Sequence, residues 1–121
     1  MRPYKSGTRG ALIAVIAGAA VLVWSAASLA GTPTLGADCG AGAALVGTSS
    51  DSAGKVTLGA DPAATCTLTF GVAYTNAPAC TATNETGART VAVSSTPAGA
   101  VLNGPYPFNA GDLVSYICVE Y

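Results

Sequence analysis

The chain has 121 residues, 50% of them hydrophobic and 9% charged, with a formal net charge of −1. That length supports one small domain, and the composition excludes a disordered polyelectrolyte, a collagen and a coiled coil. Histidine is missing and glycine takes 15 positions, so a core short of large apolar groups needs covalent help.

The N-terminus is basic (Arg2, Lys5, Arg9) and runs into the apolar stretch "ALIAVIAGAAVLVW", then "SAASLAGTP". A basic start, an apolar middle and small residues at Ser28 and Ala30 make up a secretory signal peptide. Residues 1–30 are therefore expected to be a signal peptide, with an uncleaved hydrophobic signal anchor as the alternative, and the remainder is expected to be exported. A lipoprotein cut at Cys39 is excluded, because Asp38 directly precedes the sulfur and the apolar run ends at Trp24.

Beyond Ala30, Lys55 and Arg89 stand against all six acidic residues of the chain. A negative surface with two scattered cations excludes nucleic acid as a partner, because phosphate binding rests on clustered Lys and Arg.

Residues 31–43, "GTPTLGADCGAGA", read as a flexible lead-in to a domain over 44–121. "ALVGT" (44–48) is the first expected strand, "SSDSAG" its turn, and "KVTL" (55–58) the next strand, with Val56 and Leu58 on one side. "CTLTFGVAY" (66–74) alternates most clearly. Cys66, Leu68, Phe70, Val72 and Tyr74 share one face, as in a half-buried strand. "ACTATNE" (79–85) follows the turn "TNAP", and "TVAVSST" (90–96) points Val91 and Val93 inward. "PAGAVLNGPYPFNAGD" (97–112) reads as irregular, since Pro97, Pro105 and Pro107 are barred from central ladder positions. "LVSYICVEY" (113–121) is apolar on both faces, as in a central or doubly covered strand. The expected fold is all-β, a small antiparallel β-sandwich of about six or seven strands, with an open barrel as the alternative.

The four cysteines, Cys39, Cys66, Cys80 and Cys118, all lie in the exported part. No C-x-x-C pair and no histidine accompany them, which argues against zinc and against a thioredoxin-like site. An even number in a short exported chain predicts two disulfides, each worth roughly 2–4 kcal/mol. Three connectivities exist on paper. If 66–74 and 79–85 form a hairpin, Cys66 and Cys80 fall out of register, and Cys39–Cys66 with Cys80–Cys118 is the preferred pairing.

Chemistry is sparse. A Ser or Cys nucleophile lacks a histidine base, and Lys55, the lone exported lysine, reads as a solvated strand-edge residue. Asp51, Asp61 and Asp112 fall in loops, but without calcium-loop spacing they read as turn residues. The expectation is no enzyme, no cofactor and no metal. "NET" (84–86) matches an N-glycosylation acceptor. Tyr106, Phe108 and Tyr121 are the candidate binding patch, since aromatics spaced through loops contact sugars or proteins. The alternative is that they plug the ends of the sandwich. A surface glycan or protein is the expected partner, with a membrane only through the N-terminal segment.

"CG" (39–40), "GTSSDSAGKVTLG" (47–59), "CTLTFGVAYTNAPAC" (66–80) and "AGDLVSYICV" (110–119) come in an order that resembles a small Gly-, Thr- and Ala-rich β domain. That domain occurs in bacteriophage tail-fibre and other virion-associated proteins and in some exported bacterial proteins. The resemblance implies a structural or receptor-contacting role without catalysis. The apparent export signal turns the expectation toward a secreted or surface-attached adhesion module. The alternative is a phage structural protein with an N-terminal membrane segment.

Overall fold

The structure, a computed structural model, describes residues 31–121. The expected signal segment, 1–30, lies outside the described residues. Eight antiparallel strands run in the order β1-β4-β7-β6-β5-β8-β3-β2. Their ranges are β1 Thr34–Leu35, β2 Ala44–Leu45, β3 Ala53–Thr57, β4 Thr65–Thr69, β5 Ala79–Asn84, β6 Arg89–Thr96, β7 Gly99–Asn103 and β8 Leu113–Val119. The described residues are all-β, as the alternation predicts, with eight strands rather than six or seven and in one continuous, barrel-like sheet rather than the two sheets of a sandwich.

Strand β6 makes the sheet continuous. Its first residues, Arg89–Val91, pair with β5, and Ala92 to Thr96 pair with β7. One strand thus serves both halves, and the sheet coils into a nearly closed barrel. The free edges, β1 and β2, are two residues long each, which keeps unpaired backbone to a minimum. Between them the gap is bridged by a 3-10 turn, Ala37–Cys39, and a reciprocal bridge between Ala41 and Ala60.

Residues 31–43 are therefore built into the barrel, which corrects their reading as a flexible lead-in. Thr34 and Leu35 pair with Thr69 and Leu68, and Cys39 is fully buried. The Asp38 carboxylate accepts from the Thr67 N–H at 3.0 Å and from the hydroxyls of Thr67 and Thr65 at 2.8 and 3.0 Å. Burial by itself raises its pKa, but those three donors outweigh it and hold the carboxyl below its ordinary value.

The core is one cluster. Its larger members are Val56, Leu58, Leu68, Phe70, Leu102, Phe108, Val114 and Tyr116, with Cys39, Cys66 and Cys118 among them. The alternation in 66–74 holds for Cys66, Leu68 and Phe70 and then fails, since Val72 is exposed. The reason is Asp51, whose carboxylate draws the Gly71 and Val72 N–H groups out of the ladder. Strand β7 occupies a central position in the stretch expected to be irregular, with Ala100 and Leu102 buried. Pro97 and Pro105 flank β7 rather than interrupt it, so their missing donors cost the ladder nothing. Gly99 is required there, because a Cβ would run into the Leu68 carbonyl of β4. Strand β8 is central, between β5 and β3, but covered on one face only. Val114, Tyr116 and Cys118 face the core, while Ile117 and Val119 are exposed.

The structure joins Cys39 to Cys66 and Cys80 to Cys118. The hairpin premise behind that pairing does not hold, because β4 pairs with β1 and β7, and β5 with β6 and β8. Register supplies the reason instead. Cys80 and Cys118 are direct partners across β5 and β8, with Cα atoms 4.1 Å apart. Cys39 reaches Cys66 because the 3-10 turn lies along β4, Cα to Cα 4.4 Å.

Candidate functional site

The two ends of the barrel differ in how their loops are held. At one end the β2–β3 turn carries Asp51, which is 1% exposed. One of its oxygens accepts from the Gly71 N–H at 2.8 Å, and the other from Gly31 and Val72, each at 2.9 Å. Tyr116 donates its hydroxyl to the Ser50 carbonyl beside it. Burial, then the nearby Asp51 and Tyr74, push the Tyr116 pKa up to about 12. Glu120 closes the same end by accepting from the Thr75 N–H at 2.8 Å. Asp51, Tyr116 and Glu120 each serve the fold there.

The other end holds a cleft of about 180 Å³ between the β5–β6 turn and the loop from Gly104 to Asp112. The turn is set by Asn84, whose side-chain oxygen accepts from the N–H groups of Thr86 and Gly87 at 3.1 and 3.2 Å. The loop is anchored by Phe108, which is buried, and by Gly104 and Phe108 N–H bonds to the carbonyls of Ala64 and Ala63. Gly104 has no room for a Cβ, which would come within 2.7 Å of the Tyr106 carbonyl and 3.2 Å of the Phe108 ring. Pro105 and Pro107 restrict the backbone on either side of Tyr106. The wall is thereby preformed.

Three groups face this cleft with unspent capacity. The Arg89 guanidinium lies 5.0 Å from the centre of the Tyr106 ring, within cation–π range. It forms no ion pair with the described residues, among which Lys55 and Glu85 make the one salt bridge. Tyr106 is 65% exposed. Asp112 is buried, and its two donors, Asn84 Nδ2 and the Asn109 N–H, both reach Oδ2 at 2.9 Å. Among the described residues none donates to Oδ1.

The expected aromatic patch is not assembled. Phe108 lies in the core, because it is the anchor of the loop, and so takes the plugging role. Tyr106 stands at the cleft, beside the Asn84 end of β5, while Tyr121 follows β8 at the Ala79 end and is exposed. One strand of six residues, about 17 Å, separates those ends. The four cysteines form the two disulfides. Asp51 and Asp112 are engaged by protein donors, Asp61 is exposed, and among the described residues no three His, Cys, Asp or Glu side chains come together as metal ligands. Asn84 of the "NET" triplet is buried and spends its amide nitrogen on Asp112, so that acceptor is closed to a glycan. Lys55 is exposed and paired with Glu85 at 3.1 Å, and that bond, then Ser115, holds the Glu85 carboxyl below its ordinary value.

The sequence marks Asn84 only as a glycosylation acceptor and Arg89 only as one of two dispersed cations, and it gives no sign of Asn109. The signal open to a reader is the crowding of Gly104, Pro105 and Pro107 around an aromatic, which marks a shaped loop. Among the described residues no helix is long and apolar enough to cross a membrane. No protein-family model, curated protein or solved structure matches the chain.

Proposed function

We propose that the chain is a non-enzymatic extracytoplasmic binding module that attaches to a surface glycan or protein through the cleft between Arg89, Tyr106 and Asp112. The observation that carries this reading is the convergence there of a cation that no described residue pairs with, an exposed aromatic and a buried carboxylate oxygen that no described residue donates to. A stabilising network uses its polar atoms up, as the opposite end does. A site keeps some in hand. Two disulfides fit an oxidising compartment, and the basic, apolar and small-residue order of the N-terminus fits export to it.

The test is retention of the exported protein on intact cells or extracellular matrix, compared with its Tyr106→Ala variant. Retention of the wild type that falls in the variant is expected; equal, background-level binding of both sinks the reading. A phage structural role is the second reading. It is supported by the four stretches resembling tail-fibre β domains, which include all four cysteines. Tail and capsid genes beside this one decide for it, and their absence decides for the host-surface form.

A further inference from the structure

We propose that the cleft takes a single neutral pyranose residue, the exposed unit of a surface glycan. This rests on the binding-module reading and adds the chemical class of its ligand.

The class follows from what each wall lacks. Asp112 is a buried carboxylate with both protein donors on Oδ2, so Oδ1 needs one hydrogen-bond donor. Arg89 carries five N–H donors and no acceptor. Tyr106 presents an aromatic surface beside it. A ligand that fills the cleft therefore brings at least one donor, at least one acceptor and an apolar face. A sugar ring has all three, since each hydroxyl donates and accepts and its axial C–H groups cover an aromatic.

Two rival ligands fit less well. A zwitterionic amino acid could set its carboxylate on Arg89 and its ammonium on Asp112. The ammonium carries three donors against the two lone pairs of Oδ1, so at least one is left without a partner from Asp112, and a small amino acid offers no ring-sized apolar face to Tyr106. A uronic acid could pair with Arg89 but would bring its own carboxylate toward Asp112 and toward an exported part in which six acids face two cations. The volume, about 180 Å³, is below that of pockets holding drug-sized ligands, roughly 300–1,000 Å³. One ring is the right scale. Contact with so few atoms gives a dissociation constant on the order of millimolar, and tight attachment would come from many copies on one surface.

The experiment is an amide-shift titration of the exported protein with methyl β-glucoside, methyl β-galactoside and methyl β-N-acetylglucosaminide. Sodium glucuronate and alanine are run alongside. Saturable shifts confined to residues 84–91 and 104–112 with at least one neutral glycoside, and weaker ones with the two charged probes, are expected. Tyr106→Ala, at an exposed position, should weaken that binding by about tenfold or more, and Asp112→Asn, which turns the needed acceptor toward a donor, should abolish it. Silence with all three glycosides, stronger shifts with alanine or glucuronate, or glycoside binding indifferent to both substitutions overturns the proposal. Cell retention that depends on Tyr106, together with silence in this titration, leaves the module reading intact and removes the sugar. Loss of both removes the module reading too.

Discussion

Asp51 and Asp112 are both buried carboxylates, one at each end of the barrel, and their oxygens are used differently. Asp51 receives three backbone N–H groups, from Gly31, Gly71 and Val72, and both of its oxygens are engaged. It ties the β2–β3 turn to segments on the other side of the gap. Asp112 lines the cleft with Arg89 and Tyr106 and receives two donors on one oxygen, while no described residue donates to the other. The lesson is that burial of a charge does not by itself mark a site. The count of donors against lone pairs separates a staple from a candidate ligand contact.

Substitution should break this comparison most sharply. Asp51→Ala leaves three N–H groups without their charged acceptor, and at about 1.5–3 kcal/mol for each such bond the loss is about 5–9 kcal/mol, enough to unfold much of the protein. Asp112→Asn keeps an oxygen for Asn84 and Asn109 and should cost about 1 kcal/mol while emptying the cleft of its acceptor. Urea denaturation of the two variants measures both. Equal costs would mean that the two carboxylates do the same job.

Each end also has its own disulfide. Cys80–Cys118 adjoins the Asp51 turn, since the Cys118 N–H donates to the Ser52 carbonyl. Cys66 lies beside Ala64, which anchors the cleft loop. Their loops of 27 and 38 residues predict losses of roughly 3.5–4 kcal/mol on replacement of either pair by alanine. The totals are similar, and the location should differ. Hydrogen exchange should quicken around 104–112 without Cys39–Cys66, and around 49–53 and 117–119 without Cys80–Cys118.

pH should separate the ends in opposite directions. Tyr116 belongs to the Asp51 end, and its raised pKa means that the neutral hydroxyl is the form the fold favours. That stability is fully present below pH 10, the unfolded tyrosine value, and is lost as pH rises toward about 12, by up to about 3 kcal/mol. Tyr116→Phe should flatten this alkaline limb. Asp38 holds the 3-10 turn to β4 with a lowered pKa, so its contribution is present above pH about 4 and lost as pH falls through its folded value. Asp38→Asn should flatten the acid limb, a smaller effect. Stability curves from pH 2 to pH 12 check both, and an unchanged limb in either variant refutes that assignment.

The smallest expected effect is at the turn that shapes the cleft. Ala88 has φ +52°, a left-handed conformation costly for any residue with a Cβ. Ala88→Gly should raise stability by about 0.5–1 kcal/mol, read as a higher melting temperature. A decrease would show that the turn relies on the alanine.

Much of the fold was legible in local pattern. Alternation locates β3, the buried half of 66–74 and β6, because a strand with one buried face must repeat every two residues, while β5 follows from its position after a turn and β8 from a continuous apolar run. Where the reading failed, a distant residue was the cause. Val72 left the core because Asp51 captured its N–H. The 31–43 stretch joined the barrel because Asp38 meets two threonines of β4. β7 is hidden in the sequence because Pro97 and Pro105 flank it, and local pattern does not distinguish prolines beside a strand from prolines within one. Phe108 read as part of a surface patch because a loop position carries no sign of which way its ring will turn.

What the sequence alone determined was strand-forming periodicity, the four cysteines and the lack of histidine chemistry, since these are properties of neighbouring residues or of counts. Tertiary structure decided which strands pair, which cysteines meet and which carboxylate keeps an oxygen in hand. Those depend on contacts between residues tens of positions apart, such as Asn84 with Asp112 and Gly31 with Asp51. Local pattern carries no information on such closure, because the free energy of pairing distant segments is set only when the whole sheet forms.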